Sequence, residues 1–79
     1  MEDDVLQKVR AIIAESIPLS GEDIRVDAGL SRDLGLSSLE LVMLTARVES
    51  TFRVRFEPED MGNVVTVGNL VDVVRQRSR

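Results

Sequence analysis

From Asp4 the apolar residues Val5, Val9, Ile12, Ile13 and Ile17 recur at intervals of three and four, the spacing that lines them along one face of a helix. Asp3 or Asp4 suits the start of that helix, and Pro18, which lacks an amide hydrogen, is expected to stop it. A second run, Leu41, Leu44, Val48 and Phe52, keeps the same interval. Ahead of it, Ser37-Ser38-Leu39-Glu40 has the form of a capping box, in which a hydroxyl accepts from an early helical amide and the glutamate reaches back to the cap amide. The second helix is therefore expected to begin at Ser37 or Ser38 and to run to about Thr51. Pro58-Glu59-Asp60-Met61 places a proline at a first helical position, with Gly62 to end a short third helix. Thr66 caps a fourth whose Val67, Leu70, Val71 and Val74 form the inward stripe. The Arg75 to Arg79 tail sets cations against the negative end of that helix dipole.

Between the first two helices, residues 18–36 mix Pro18, Gly21, Gly29 and Gly35 with alternating charges, a composition that breaks regular structure. The segment also holds Ile24, Val26, Leu30, Leu34 and Leu36, enough apolar side chains to lie across a helical core. The stretch from Phe52 to Phe56 is too short to pair as a strand by itself. These elements predict an all-α four-helix bundle with three longer helices, one short helix and a long loop between helices one and two. At 79 residues the chain, 1–79, reads as a single domain.

Composition narrows the chemistry. With no cysteine and no histidine, disulfides, thiolate zinc sites and imidazole ligands are excluded. The side chains that most often act as nucleophile or general base near neutral pH are missing too, so self-contained catalysis is not expected. A formal charge of −4 repels nucleic acid phosphates and favours protein partners. The first residues are acidic, and no apolar run approaches a signal core or membrane span, so a cytoplasmic monomer without nucleic acid or membrane contacts is expected.

The stretch Asp33-Leu34-Gly35-Leu36-Ser37-Ser38-Leu39-Glu40-Leu41 resembles the prosthetic-group motif of acyl carrier proteins. The likeness extends to the long loop, to Phe52 at the end of helix two, to the short helix at Pro58 and to Val65-Thr66-Val67 before helix four. The resemblance implies a bundle of acyl-carrier type and a non-catalytic function: Ser38 carries 4'-phosphopantetheine, donated by coenzyme A through a phosphopantetheinyl transferase. It implies acyltransferase, ketosynthase or adenylating loading enzymes as further partners, in fatty acid or polyketide synthesis. A phosphate at the first turn of a helix also meets unsatisfied amides and the positive end of the dipole, which stabilise an anion.

Two departures from the family pattern stand out. The residue before the modified serine is commonly aspartate, and here it is Ser37, which caps a helix about equally well but carries no charge. Helix two, commonly acidic in the family, here bears a second apolar stripe, Leu39, Val42, Met43 and Ala46, beside its core stripe. Partner docking is accordingly expected on Leu39, Glu40, Val42, Met43, Ala46, Arg47 and Glu49, through apolar contacts rimmed by Glu40 and Glu49. The alternative is that the long loop covers this stripe and leaves no docking surface. These departures favour a dedicated secondary-metabolite pathway. A free-standing peptidyl carrier of the same fold and a helical interaction module without a prosthetic group are the other readings. Glu22, Asp23, Asp27 and Asp33 lack the ligand spacing and turn glycine of an EF-hand, and read as a solvated acidic loop.

Overall fold

The computed structural model describes residues 4–78. Its elements are four α-helices: α1 (Asp4–Ala14), α2 (Ser38–Phe52), α3 (Pro58–Asn63) and α4 (Val67–Arg77), with one 3-10 turn at Gly21–Asp23 inside the long first connection. Asp3, offered as a cap for the first helix, and Arg79 of the basic tail lie outside the described residues. Asp4 is the first residue of α1 and its first-turn acid.

α1 ends at Ala14 rather than reaching Pro18. A proline ring in a helix clashes with the carbonyl four residues before it, which here belongs to Ala14, so Pro18 acts upstream of its own position. The chain tightens instead through Glu15 N–H to Ile12 O and Ser16 N–H to Ile13 O, leaving Ile17 half-buried against the core. α3 is likewise not ended by Gly62: it runs on to Asn63 and closes as the amide of Val64 donates to Met61 O.

The interior is built from α1, α2 and α4, with α1 packed on both others. Val9 and Ile13 of α1, Leu44 and Val48 of α2, and Val67, Leu70, Val71 and Val74 of α4 are buried together. Leu41 and Phe52 of the α2 stripe pack at the margin of this core, half-buried. The connection contributes Ile24, Leu30 and Leu36 to the same core, each buried as deeply as the helical residues.

Main-chain bonds fasten that connection to the start of α4. The amide of Leu30 donates to Val65 O at 2.8 Å, that of Val67 to Ala28 O at 3.0 Å and that of Gly68 to Val26 O at 2.8 Å, around a bridge between Gly29 and Thr66. The approach is close enough that a Cβ on Gly68 would stand 3.3 Å from Val26 O. Val26, expected to lie on the core, is instead exposed: its carbonyl faces α4 and its side chain is left on the surface. The acids of the connection are mostly engaged. Asp27 pairs with Arg25, Asp23 accepts from the Ser20 hydroxyl, and Asp33 accepts the Gly29 amide at 2.6 Å. Among the described residues no cluster of carboxylates is placed to hold a metal ion, and no helix is long and apolar enough to cross a membrane.

α3 supplies no apolar side chain to the buried cluster and is held by charge. Asp60, 5% exposed, receives Arg77 Nε and a terminal guanidinium nitrogen at 3.0 and 2.9 Å, and also the Glu57 amide at 2.7 Å. The hydrogen bonds from Arg77, followed by that from the Glu57 amide, hold its carboxyl below the usual carboxylate range.

Two outcomes follow from this packing. Leu30→Ala, although in a connection, lowers the unfolding free energy by ~2–5 kcal/mol, whereas Leu39→Ala on the exposed face of α2 changes it by less than about 0.5 kcal/mol; urea denaturation of both variants measures the contrast. Because the Asp60 carboxyl is depressed in the folded state, its contribution is complete above the unfolded value of about 3.9 and is lost as pH falls through the lower folded value. The melting temperature of Asp60→Asn therefore lies below that of the parent at neutral pH, and the gap narrows on titration below about pH 4.

Candidate functional site

The chain enters α2 through a turn fixed by glycine. Gly35 adopts φ +75°, a left-handed conformation that side chains disfavour, and its amide donates to Ser31 O while the Leu36 amide donates to Leu30 O. Leu36 is buried at the next position, which anchors the chain immediately before Ser37. Asp33, by closing the turn on Gly29, belongs to the same support.

Ser37 is the N-cap of α2. Its hydroxyl accepts the Glu40 amide at 3.2 Å, and the Glu40 carboxylate accepts the Ser37 amide at 2.8 Å, the reciprocal arrangement expected from the sequence. Ser38 is the first helical residue and is exposed. The first four amides of a helix have no intrahelical acceptor. Those of Ser37 and Glu40 are used by the box, which leaves the amides of Ser38 and Leu39 at the positive end of the dipole beside the Ser38 hydroxyl. An anionic phosphodiester on that hydroxyl fits this donor set. The acidic neighbour, Glu40, is turned back on the cap amide.

Next to this helix start lies a cavity of about 250 Å³ lined by Leu30, Leu41, Val64 and Val65, with Ser31 and Arg32 at its polar side. A larger groove of about 500 Å³ runs between α1 and the 3-10 turn, and none of its lining residues belongs to α2.

The second apolar stripe is on the surface. Leu39 is 69% exposed and Val42 and Met43 are each 57% exposed, and Ala46 is exposed with them. The long connection packs elsewhere, over the core and against the start of α4, so it does not cover this face. The charged residues beside the stripe are occupied within the chain. Arg47 pairs with Glu15 after α1, and half-buried Glu49 accepts the Phe56 amide at 2.7 Å, pinning the connector that follows α2. The Glu49 bond depends on where the chain turns after α2, which no local spacing discloses. Thr45, buried on the inner side and donating its hydroxyl to Val42 O at 2.9 Å, is another contact without a sequence signal.

With this geometry in view, comparison with known proteins gives a consistent result. Residues 7–74 match the family model described as a phosphopantetheine attachment site. The chain is 34% identical over 76 residues to an acyl carrier protein from Petrotoga mobilis, covering 96% of this chain and 89% of the relative. An acyl carrier protein from Enterococcus faecalis superposes with a TM-score of 0.83 at 26% identity, covering 99% of each chain. MacpD, an acyl carrier protein from Pseudomonas fluorescens involved in mupirocin biosynthesis, gives 0.78 at 27% identity, over 98% of this chain and 73% of that one. The chain belongs to the acyl carrier protein family, whose prosthetic group is covalently attached 4'-phosphopantetheine. Its members are carriers rather than enzymes, and they work with phosphopantetheinyl transferases and acyl-handling enzymes.

The cap is separable from the chemistry. Ser37→Ala lowers stability by about 1 kcal/mol and Ser37→Asp restores it, as read from denaturant midpoints, because only the acceptor for the Glu40 amide is removed and returned.

Proposed function

We propose that Ser38 is the phosphopantetheine attachment point and that the chain tethers acyl or polyketide intermediates as thioesters in a dedicated secondary-metabolite pathway. The observation that carries this reading is Ser38 itself: an exposed hydroxyl on the first residue of α2, beside two amides that the reciprocal cap leaves open. The arm supplies the terminal thiol that this cysteine-free chain lacks. The chain's own part is to hold the phosphodiester at a helix start, where it meets favourable dipole and amide donors, and to present it on a rigid helix.

Residues 1–79 act as one carrier domain in this reading, and α2 presents Leu39, Val42, Met43 and Ala46 to the enzymes that load and unload the arm. The pathway assignment is supported by the likeness to MacpD, which is involved in mupirocin biosynthesis, and by an α2 surface more apolar than an acidic recognition helix would be.

Intact-mass measurement after incubation with coenzyme A and a broad-specificity transferase tests the assignment. The parent chain gains one phosphopantetheine increment, Ser37→Ala gains it too, and Ser38→Ala gains none. A Ser38→Ala variant that still takes up the group removes the assignment.

A further inference from the structure

α2 holds two carboxylates, Glu40 and Glu49, and each is hydrogen-bonded to a main-chain amide of its own chain. Its one guanidinium, Arg47, is paired with Glu15. Beyond the apolar stripe, the same outward face continues at helical spacing to Ser50, and Arg53 follows just past the end of the helix. Across residues 38–55 two carboxylates stand against three guanidiniums, Arg47, Arg53 and Arg55, a net charge of +1 in a chain of −4. Residues 38–55 therefore contribute none of the molecule's net negative charge.

Arg53 adds an independent observation. It is the C-cap of α2 at φ 57°, and among the described residues it is the only non-glycine residue with positive φ. That conformation strains any residue with a Cβ, and glycine would relieve it. The Arg53 side chain is exposed and makes no hydrogen bond or ion pair among the described residues. Beyond the general favour of a cation at a helix C-terminus, no described group pairs with the arginine, and the backbone would be better served by glycine. Strain retained where the fold does not need it points to a role outside the fold.

From these observations we infer that the outward face of α2 docks partner enzymes through an apolar groove with a carboxylate at its edge, the carboxylate meeting Arg53. Leu39, Val42 and Met43 supply the non-polar contact nearest the arm, and Arg53 fixes orientation from the far end of the helix. This is the reverse of an acidic helix seated on a basic groove. The inference rests on the carrier reading with Ser38 as anchor, since α2 is taken to face the enzymes that act there.

Two phosphopantetheinyl transferases serve as probes, one with an apolar docking groove edged by a carboxylate and one with a groove rimmed by arginines. The KM for the full apo chain is measured at saturating coenzyme A from about 50 mM to about 500 mM NaCl, where surface charge pairs are progressively screened. The apolar, acid-edged enzyme is expected to give the lower KM, changing less than about 2-fold over that range because the contact is mostly non-polar. Met43→Glu raises that KM about 10-fold or more, as loss of a central apolar contact does. Arg53→Gly raises it several-fold while raising the melting temperature, a combination that a purely structural role for Arg53 does not produce.

A lower KM on the arginine-rimmed enzyme, a steep rise with salt on the acid-edged one, or an unchanged KM in Met43→Glu or Arg53→Gly overturns the inference. So does sedimentation showing a dimer that Met43→Glu dissociates, since a second copy would then occupy the face. End-point mass separates the two readings. Variants that reach the full mass increment at raised KM bear on docking alone, whereas a parent chain that never gains it defeats the carrier assignment and the docking inference with it.

Discussion

Leu30 to Val65, Val67 to Ala28 and Gly68 to Val26 are ordinary main-chain hydrogen bonds, yet the rest of the molecule is arranged around them. They fasten a 23-residue connection, 15–37, to the start of α4, and they do so directly above the place where Ile24, Leu30 and Leu36 enter the core. A chain this short, with no disulfide, has little apolar surface to spare. It therefore uses its longest connection as part of the interior, and the Leu30 amide and the Val26 and Ala28 carbonyls of that connection are paired with the α3–α4 junction. The position of Ser38 follows from this fastening. The turn at Gly35 and the buried Leu36 leave the chain one direction in which to start α2.

The elements whose signals are local were legible in the residues. Ser37 and Glu40 close as the reciprocal cap expected of them and Thr66 caps α4 as expected, with Asn69 completing a second, unexpected box, because such geometry needs only neighbouring residues. The buried stripes of α2 and α4 followed from spacing for the same reason. The end of α1 was misplaced because a proline disturbs the carbonyl four residues upstream rather than the residue it occupies. Val26 counted as core on its character alone, while its exposure is set by which main-chain groups of α4 it faces. The Asp60 to Arg77 pair, which holds α3, joins residues 17 apart and has no periodic signature.

The site divides the same way. The cap ahead of Ser38, the proposed anchor, is readable in nine consecutive residues, and so is the excess apolar stripe on α2. Whether that stripe is open depends on the path of the long connection, a tertiary matter, and the path leaves it exposed. The carboxylates of α2, expected as a rim for partners, each also complete a hydrogen bond that shapes the helix or its exit. The exposed surface is apolar near Ser38 and cationic at the far end of the helix. The structural use of Glu40 and Glu49 and the external role assigned to Arg53 are thus two sides of one distribution of charge.

Ser37 and Ser38 are adjacent hydroxyls at one helix start, one accepting the Glu40 amide and the other exposed on the first helical residue. The two are proposed to have different roles, cap and anchor. Fragmentation of the loaded protein by tandem mass spectrometry separates them directly, since cleavage between the two residues assigns the added mass to one side. The phosphopantetheine is expected on the fragment that begins at Ser38; finding it on the fragment that ends at Ser37 would contradict the account.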